Sequence, residues 1–192
     1  MCARYTISDG LYEKLERYYG ECPDDILHRT GDVRPTEQAP VMLARGGKLG
    51  YEVMNWGFHG LSGKGILINA RAETVEEKKT FQHGIRFNRC VIPASGFYEW
   101  DAAKDKVLFS HKTDELLLLA GFFDRFDKNR RFIIITTEAN ESVRGVHDRM
   151  PLLVSCERLE EWLLTDQFRR MLTETMPPLV AHREYEQLSF EL

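Results

Sequence analysis

The chain contains no uninterrupted run of roughly eighteen apolar residues, so no transmembrane helix is expected. Its start also lacks the basic region and apolar core of a secretory signal, and cytoplasmic residence is the expectation that follows. Cysteines are few and scattered: Cys2, Cys22, Cys90 and Cys156, no two at CxxC spacing. That scatter argues against a zinc site and, in a reducing compartment, against disulfides; no metal and no cofactor is expected. Basic residues carry no surplus, since 26 stand against 30 acidic ones for a formal net charge of −4. A global positive field for nucleic acid is therefore missing, and a polyanionic partner would need a local basic cleft. The glycines between 57 and 65 form no phosphate-binding fingerprint, because neither GxGxxG nor GK[ST] opens a helix there. Internal repeats, low-complexity blocks and an interdomain linker are absent as well.

What is present is an ordinary globular composition, 43% hydrophobic and 29% charged over 192 residues, which fits one domain spanning 1–192 with a sizeable core. Ser8 or Asp9 is placed to cap a short helix with Leu11, Tyr12, Leu15, Tyr18 and Tyr19 on one side, stopped at Gly20. Residues 21–40, with Pro23, Pro35 and Pro40, read as a long irregular connection. Strands are expected over 41–45 and 49–56 about a Gly46-Gly47 turn. Thr74 and Glu77 form a capping box for a helix that reaches His83 and ends at Gly84. The middle is strand-rich, with β-compatible runs at 89–93, 96–100, 107–111, 116–123 and 131–137, and one more at 150–155. Ser155 then caps a helix with Leu159, Trp162 and Leu163 inward, Asp166 caps another through Met171, and the tail from 179 is short and mixed. The fold class expected is α+β, mainly an antiparallel sheet curled toward a barrel with peripheral helices.

Polar residues interrupt apolar runs at four places. Cys2 follows the initiator methionine, so removal of Met1 would expose an α-amine and a thiol on adjacent carbons, both partly reactive near neutrality. A buried small apolar residue at a strand start is the plain alternative. Asn69 and Arg71 follow Ile66-Leu67-Ile68; Asn69 either ends a strand or holds a carbonyl or phosphate, with Arg71 giving a charge-assisted phosphate contact. Glu99 lies between Tyr98 and Trp100, where apolar surroundings would raise its pKa and make it a general acid/base. Strand alternation allows the opposite arrangement too, with Glu99 in solvent and the aromatics in the core or stacked on bases. His147 stands in a loop before Arg149 and titrates near neutrality. A thiol-hydrolase triad of Cys2, His147 and Glu99 is formally open, without a sequence signature for it.

Taken in order, the motifs are Met1-Cys2-x-Arg4-Tyr5, Pro35-Thr36 ahead of Pro40-Val41, Trp56-Gly57, Asn69-Ala70-Arg71-Ala72-Glu73-Thr74, Arg89-Cys90-x-Ile92-Pro93-Ala94-x-Gly96-Phe97-Tyr98-Glu99-Trp100, Ala120-Gly121, Thr136-Thr137-Glu138-Ala139-Asn140 and His147-x-Arg149-Met150-Pro151. This series closely resembles the SRAP family (SOS-response-associated peptidase), whose members include bacterial and human abasic-site-processing proteins. The likeness runs from Cys2 to about Leu153, and the helical C-terminal part matches only in character. Where the family usually has glycine after the cysteine, this chain has Ala3.

The resemblance implies an enzyme that recognises abasic sites in single-stranded DNA and crosslinks to them through Cys2 after Met1 removal, shielding the lesion. It implies Cys2 as nucleophile, Asn69 and Arg71 on the lesion and its phosphate, and Glu99 and His147 in proton transfers. Arg4, Trp56, Thr136 and Arg149 fall where the family lines its DNA cleft, and Trp100 is grouped with them through its aromatic face. A thiazolidine is the expected adduct, with lyase cleavage and autoproteolytic removal of Met1 as associated activities. The partner expected is single-stranded DNA containing abasic sites, bound by a monomer without a membrane. A thiol peptidase and a non-covalent single-strand binding module are the competing classes.

Overall fold

A computed structural model describes residues 2–20, 22–23, 29–60, 65–113, 115–126 and 128–183. Met1, on which N-terminal processing turns, lies outside the described residues. So do 61–64 of the glycine-rich loop, 21 and 24–28 of the connection after the first helix, and the tail beyond Arg183.

Five strands close into a ring. Asn129–Glu138, Lys48–Trp56, Gln38–Arg45, Arg89–Ala94 and Leu117–Phe126 pair in that order, and Leu117–Phe126 pairs back onto Asn129–Glu138. The closure requires one parallel step, Arg131 beside Asn55 and Phe132 beside Trp56. Every other pairing within the ring is antiparallel, so the expected curled sheet is a closed barrel with one parallel seam. Gly46 and Gly47 turn the first hairpin with φ of 56° and 78°, the left-handed pair that a two-residue loop between Arg45 and Lys48 demands. Gln38–Arg45 also takes Pro40 into the sheet opposite Val53, so the irregular connection ends three residues earlier than its prolines suggested.

A second sheet lies outside the ring, in the order Val180–Arg183, Lys106–Ser110, Gly96–Trp100, Tyr5–Ile7 and Gly31–Val33. Two of its members were not expected as strands: Gly31–Val33, inside the proline-bearing connection, and Val180–Arg183, in the tail. Both are short edge strands held by partners distant in sequence, a signal that local patterning does not carry. The chain crosses from barrel to second sheet at Ser95, the single residue between Arg89–Ala94 and Gly96–Trp100. Ser95 is tied at the crossing by donating its N–H to Thr6 (2.8 Å), while its hydroxyl accepts from Ser8 N (2.8 Å).

The helices pack outside the ring. Leu11–Tyr19 buries Leu11, Tyr12 and Leu15, and Gly20 ends it as expected. The helix after the expected capping box instead starts at Lys79 and runs through Gly84 to Phe87, with a short 3-10 turn at Ala72–Thr74 before it. Gly84 is a contact point rather than a stop: a Cβ there would lie 2.4 Å from the Phe122 ring. Removing that Cβ lets the helix lie flat on the strand and complete a cluster of Phe58, Phe81, Phe122 and Phe126, with ring centroids 4.8–6.5 Å apart. Leu159–Leu164 and Phe168–Met171 follow the last strands and turn Leu159, Trp162, Leu163 and Phe168 inward.

Candidate active site

Antiparallel register explains how residues so far apart in the chain meet. Tyr5 pairs with Phe97, so the chain running backward from Tyr5 passes Tyr98 and comes level with Glu99; Tyr98 N donates to the Arg4 carbonyl at 2.9 Å on the way. Cys2, one residue further on, is fully buried. Its thiol makes a weak contact with the Arg4 carbonyl at 3.8 Å. Burial, and next the charge of Glu99, push the Cys2 thiol well above the ordinary thiol range. At neutral pH it is a protonated thiol, not a ready thiolate.

Asn69 reaches the same point from the barrel side. Asn69–Arg71 adds to the ring in parallel along Ile134–Thr136, and the Asn69 amide donates to the Cys2 carbonyl at 2.8 Å. Its other atom, Oδ1, is buried without a hydrogen-bond partner among the described residues. Trp56 stands behind this strand. It is fully buried, its ring 6.3 Å from Phe132 in a stacked pair, and its indole N–H donates to Ile68 O at 2.9 Å. Trp56 therefore presents no face to a ligand from this position and anchors the residue just before Asn69.

Glu99 resolves the alternation question against hydropathy. It is 1% exposed, while Tyr98 and Trp100 are half-buried on the other side of the strand. Cations cover those two rings: Lys106 Nζ sits 5.0 Å from the Tyr98 centroid and the Arg4 guanidinium 5.3 Å from that of Trp100. Desolvation pushes the Glu99 carboxyl up to about 7. His147 faces it, Nε2 to Oε2, at 3.9 Å. Burial moves His147 the opposite way, below the ordinary imidazole range, so near neutrality it is neutral. His147 Nδ1 takes the Arg149 backbone N–H at 2.9 Å and lies 2.9 Å from the Asp148 carboxylate, so both ring nitrogens are held while Nε2 faces Glu99. A carboxyl raised to about 7 that faces an imidazole held neutral can give a proton and take one back.

Cations rim this cluster. Arg4 pairs with Asp32 at 3.5 Å beside Trp100, and Arg71 is exposed at the end of its strand. Thr136 is fully buried with its hydroxyl unpartnered among the described residues, and its carbonyl accepts from Arg149 at 2.7 Å. Arg149 also holds Glu73 through two parallel bonds of 2.7 and 2.9 Å. Glu73 was part of a sequence motif but drew no role there; its only local signal is a carboxylate two residues after Arg71. Among the described residues no three His, Cys, Asp or Glu side chains are grouped to hold a metal ion, and no helix is long and apolar enough to cross a membrane.

Comparison with known proteins adds the lineage. A family model described as SOS response associated peptidase (SRAP) matches residues 1–190. The abasic site processing protein YoqW of Bacillus subtilis is 29% identical over 179 residues, covering 85% of this chain and 80% of that protein. The abasic site processing protein YedK of Escherichia coli is 29% identical over 178 residues, covering 85% and 79%. Among solved structures, a crystal structure of a protein from Bacteroides thetaiotaomicron superposes with a TM-score of 0.80 at 24% identity, covering 96% of this chain and 93% of that one, which speaks to the fold.

Proposed function

Because the chain belongs to the SOS response associated peptidase (SRAP) family, we propose that it processes abasic sites in single-stranded DNA by joining itself to them through Cys2. The observation that carries this reading is the convergence of a buried Cys2, the Asn69 amide bonded to it, and the Glu99–His147 pair at 3.9 Å. The abasic-site names of the relatives YoqW and YedK support the substrate class.

In this mechanism Met1 is removed and the α-amine of Cys2 becomes the first nucleophile. Glu99, protonated near and below neutrality, donates to the ring oxygen of the deoxyribose as the sugar opens to its aldehyde. The amine adds to that aldehyde, and loss of one water gives the imine. The thiol then adds across the C=N bond: a C–S bond forms, the nitrogen takes up a proton, and a thiazolidine ring closes. Glu99 and His147 carry the protons between these steps, and Asn69 orients the sugar. Arg71, Arg149, Thr136 and Arg4 meet the phosphates, with Trp100 beside them, and Trp56 holds the Asn69 strand from behind. β-Elimination from the imine would cleave the strand and is the associated lyase route.

The test is a denaturing gel with an abasic oligonucleotide. Wild-type protein should give a heat-stable adduct that Cys2→Ala abolishes, with Cys2→Ala still binding the strand without covalent attachment. An adduct of undiminished yield in Cys2→Ala would sink the assignment, and release of peptide products instead of an adduct would favour a thiol peptidase.

The pH dependence follows from the carboxyl pushed up to about 7. Since Glu99 acts here as an acid, the rate of adduct formation should fall as pH rises past that value and the group ionises. Glu99→Gln should be slower by about 10²-fold at pH near 6 and should lack the falling limb. Single-turnover rates across the pH range give the check; the same limb surviving in Glu99→Gln would assign it elsewhere.

A further inference from the structure

Side chains alternate along strands, and the register puts Asn69, Arg71, Thr136, Glu138 and Arg149 on one face of three neighbouring strands. Arg149 does not wait there with a free fork. Its two terminal nitrogens donate to the two carboxylate oxygens of Glu73 at 2.7 and 2.9 Å, the planar bidentate geometry in which arginine also takes phosphate. The Arg149 side chain is 11% exposed and that of Glu73 42%, so the guanidinium is seated while the carboxylate has room to leave. The Arg149 Nε N–H and the Thr136 hydroxyl are buried and have no partner among the described residues. A desolvated, oriented cation with donors unspent is built for an anion, and the anion now on it belongs to the protein itself.

We propose that Glu73 is a built-in counter-ion of the phosphate site, holding the Arg149 fork in the unliganded protein and giving it up to a DNA phosphate on binding. The proposal rests on the DNA-processing reading and deepens it. Glu73 is anionic at neutral pH, since the bonds from Arg149 above all, with help from the charge of Arg71, hold its carboxyl below the usual range. A phosphate that arrives must displace a carboxylate, so the exchange is nearly balanced in charge and undamaged strands gain little from this contact. Residence is then decided by whatever else holds the strand, which at an abasic site is the bond to Cys2. Glu73 acts through Arg149 and is a positioning residue, not a catalytic one.

Fluorescence anisotropy with an undamaged single-stranded oligonucleotide isolates binding from chemistry. Glu73→Gln keeps the shape and removes the charge; it should bind about five- to tenfold more tightly at low salt, with the slope of log K against log salt steeper by about 0.7, one extra phosphate contact. Arg149→Gln should bind more weakly than wild type, and the double variant Glu73→Gln/Arg149→Gln should match it, because Glu73 has nothing left to restrain. Glu138→Gln, which removes an exposed carboxylate directly across from Arg149, should change affinity less than Glu73→Gln does. Binding by wild type that Glu73→Gln leaves unchanged or weakens overturns this proposal alone. Failure of wild type to bind any single strand overturns it together with the proposed function. Should Glu73→Gln fold poorly, the ¹⁵N resonance of Arg149 Nε in wild type gives the second reading: it should move on adding the undamaged oligonucleotide, and a stationary signal overturns the exchange.

Discussion

Protein carrying any residue ahead of Cys2, whether retained Met1 or an added glycine, should form no heat-stable adduct with an abasic oligonucleotide. The loss expected is more than 100-fold, as complete as that of Cys2→Ala although the thiol is untouched, because a nucleophile-removing change typically costs at least about 10² in rate. Two facts about the site lead there. The Cys2 thiol is buried and pushed far above its ordinary range, so it is a poor opening nucleophile. An acylated nitrogen, for its part, has no lone pair to give an aldehyde and cannot form the imine. A thiol alone can add to an aldehyde, but the hemithioacetal reverses on heating in detergent. The measurement pairs intact-protein mass spectrometry, to score the N-terminus of each preparation, with the denaturing gel. Equal adduct yields from processed and extended protein would show that the thiol suffices, and the amine-first mechanism would fall.

The second large effect concerns stability. Arg89→Met should lower the melting temperature by about 6–16 °C, the shift that a loss of about 3–4 kcal/mol causes in a chain of this length. Arg89 is 8% exposed, and its guanidinium donates to five carbonyls: Trp162 (2.5 Å), Ile85 (3.0 Å), Arg86 (2.7 Å), Leu163 (3.5 Å) and Thr165 (3.0 Å). These carbonyls belong to the C-terminal turns of Lys79–Phe87 and Leu159–Leu164 and the residue after the latter, so one side chain terminates two helices at once. The Phe168 ring covers the cation at 4.1 Å. Helix C-termini carry the partial negative charge that a buried guanidinium needs, and here they take the place of a carboxylate. Methionine would fill much of the volume and leave the carbonyls unsatisfied, at about 1–3 kcal/mol for each that water does not reach. Arg89→Lys keeps the charge but offers three donors on one nitrogen, and should recover less than half of the loss. A melting temperature for Arg89→Met within 2 °C of wild type would mean that the helix ends find other partners.

Arg89 also shows where reading the sequence succeeded and where it stopped. It lies within the motif that contains Glu99, yet in the fold it fastens helix ends. The motif marks one strand–crossing–strand unit with two purposes, and local sequence does not separate them. Glu99 itself was visible as a candidate, but not its direction, because Tyr98 and Trp100 outrank a carboxylate by hydropathy and only the cations lying over them explain the reversal. Strands with strong alternation were legible to within a few residues. The barrel's closure was not, since it rests on Lys48–Trp56 lying parallel to Asn129–Glu138, a pairing between segments that share no local signal. Gly84 misled for a related reason: glycine ends helices by conformation and serves inside them by its missing Cβ, and the sequence carries the same letter for both. The order of motifs singled out Cys2, Asn69 and His147, and the fold sets the Asn69 amide on the Cys2 carbonyl and His147 against Glu99. The Arg149–Glu73 fork needed coordinates, for it joins a strand and a 3-10 turn from opposite halves of the chain.

The pairing of Tyr5 with Phe97, which lays the start of the chain along Gly96–Trp100, has a consequence in time. During synthesis Cys2, the nucleophile of the proposed mechanism, leaves the ribosome well before the strand beside it, Gly96–Trp100, and the imidazole that faces Glu99. Were Met1 removed during translation, the nascent chain would carry an N-terminal cysteine with neither its proposed acid nor its shelter. Once the last strands pair, the Cys2 thiol is withdrawn from solvent, and in that mechanism a small aldehyde would meet a closed site in place of a bare aminothiol.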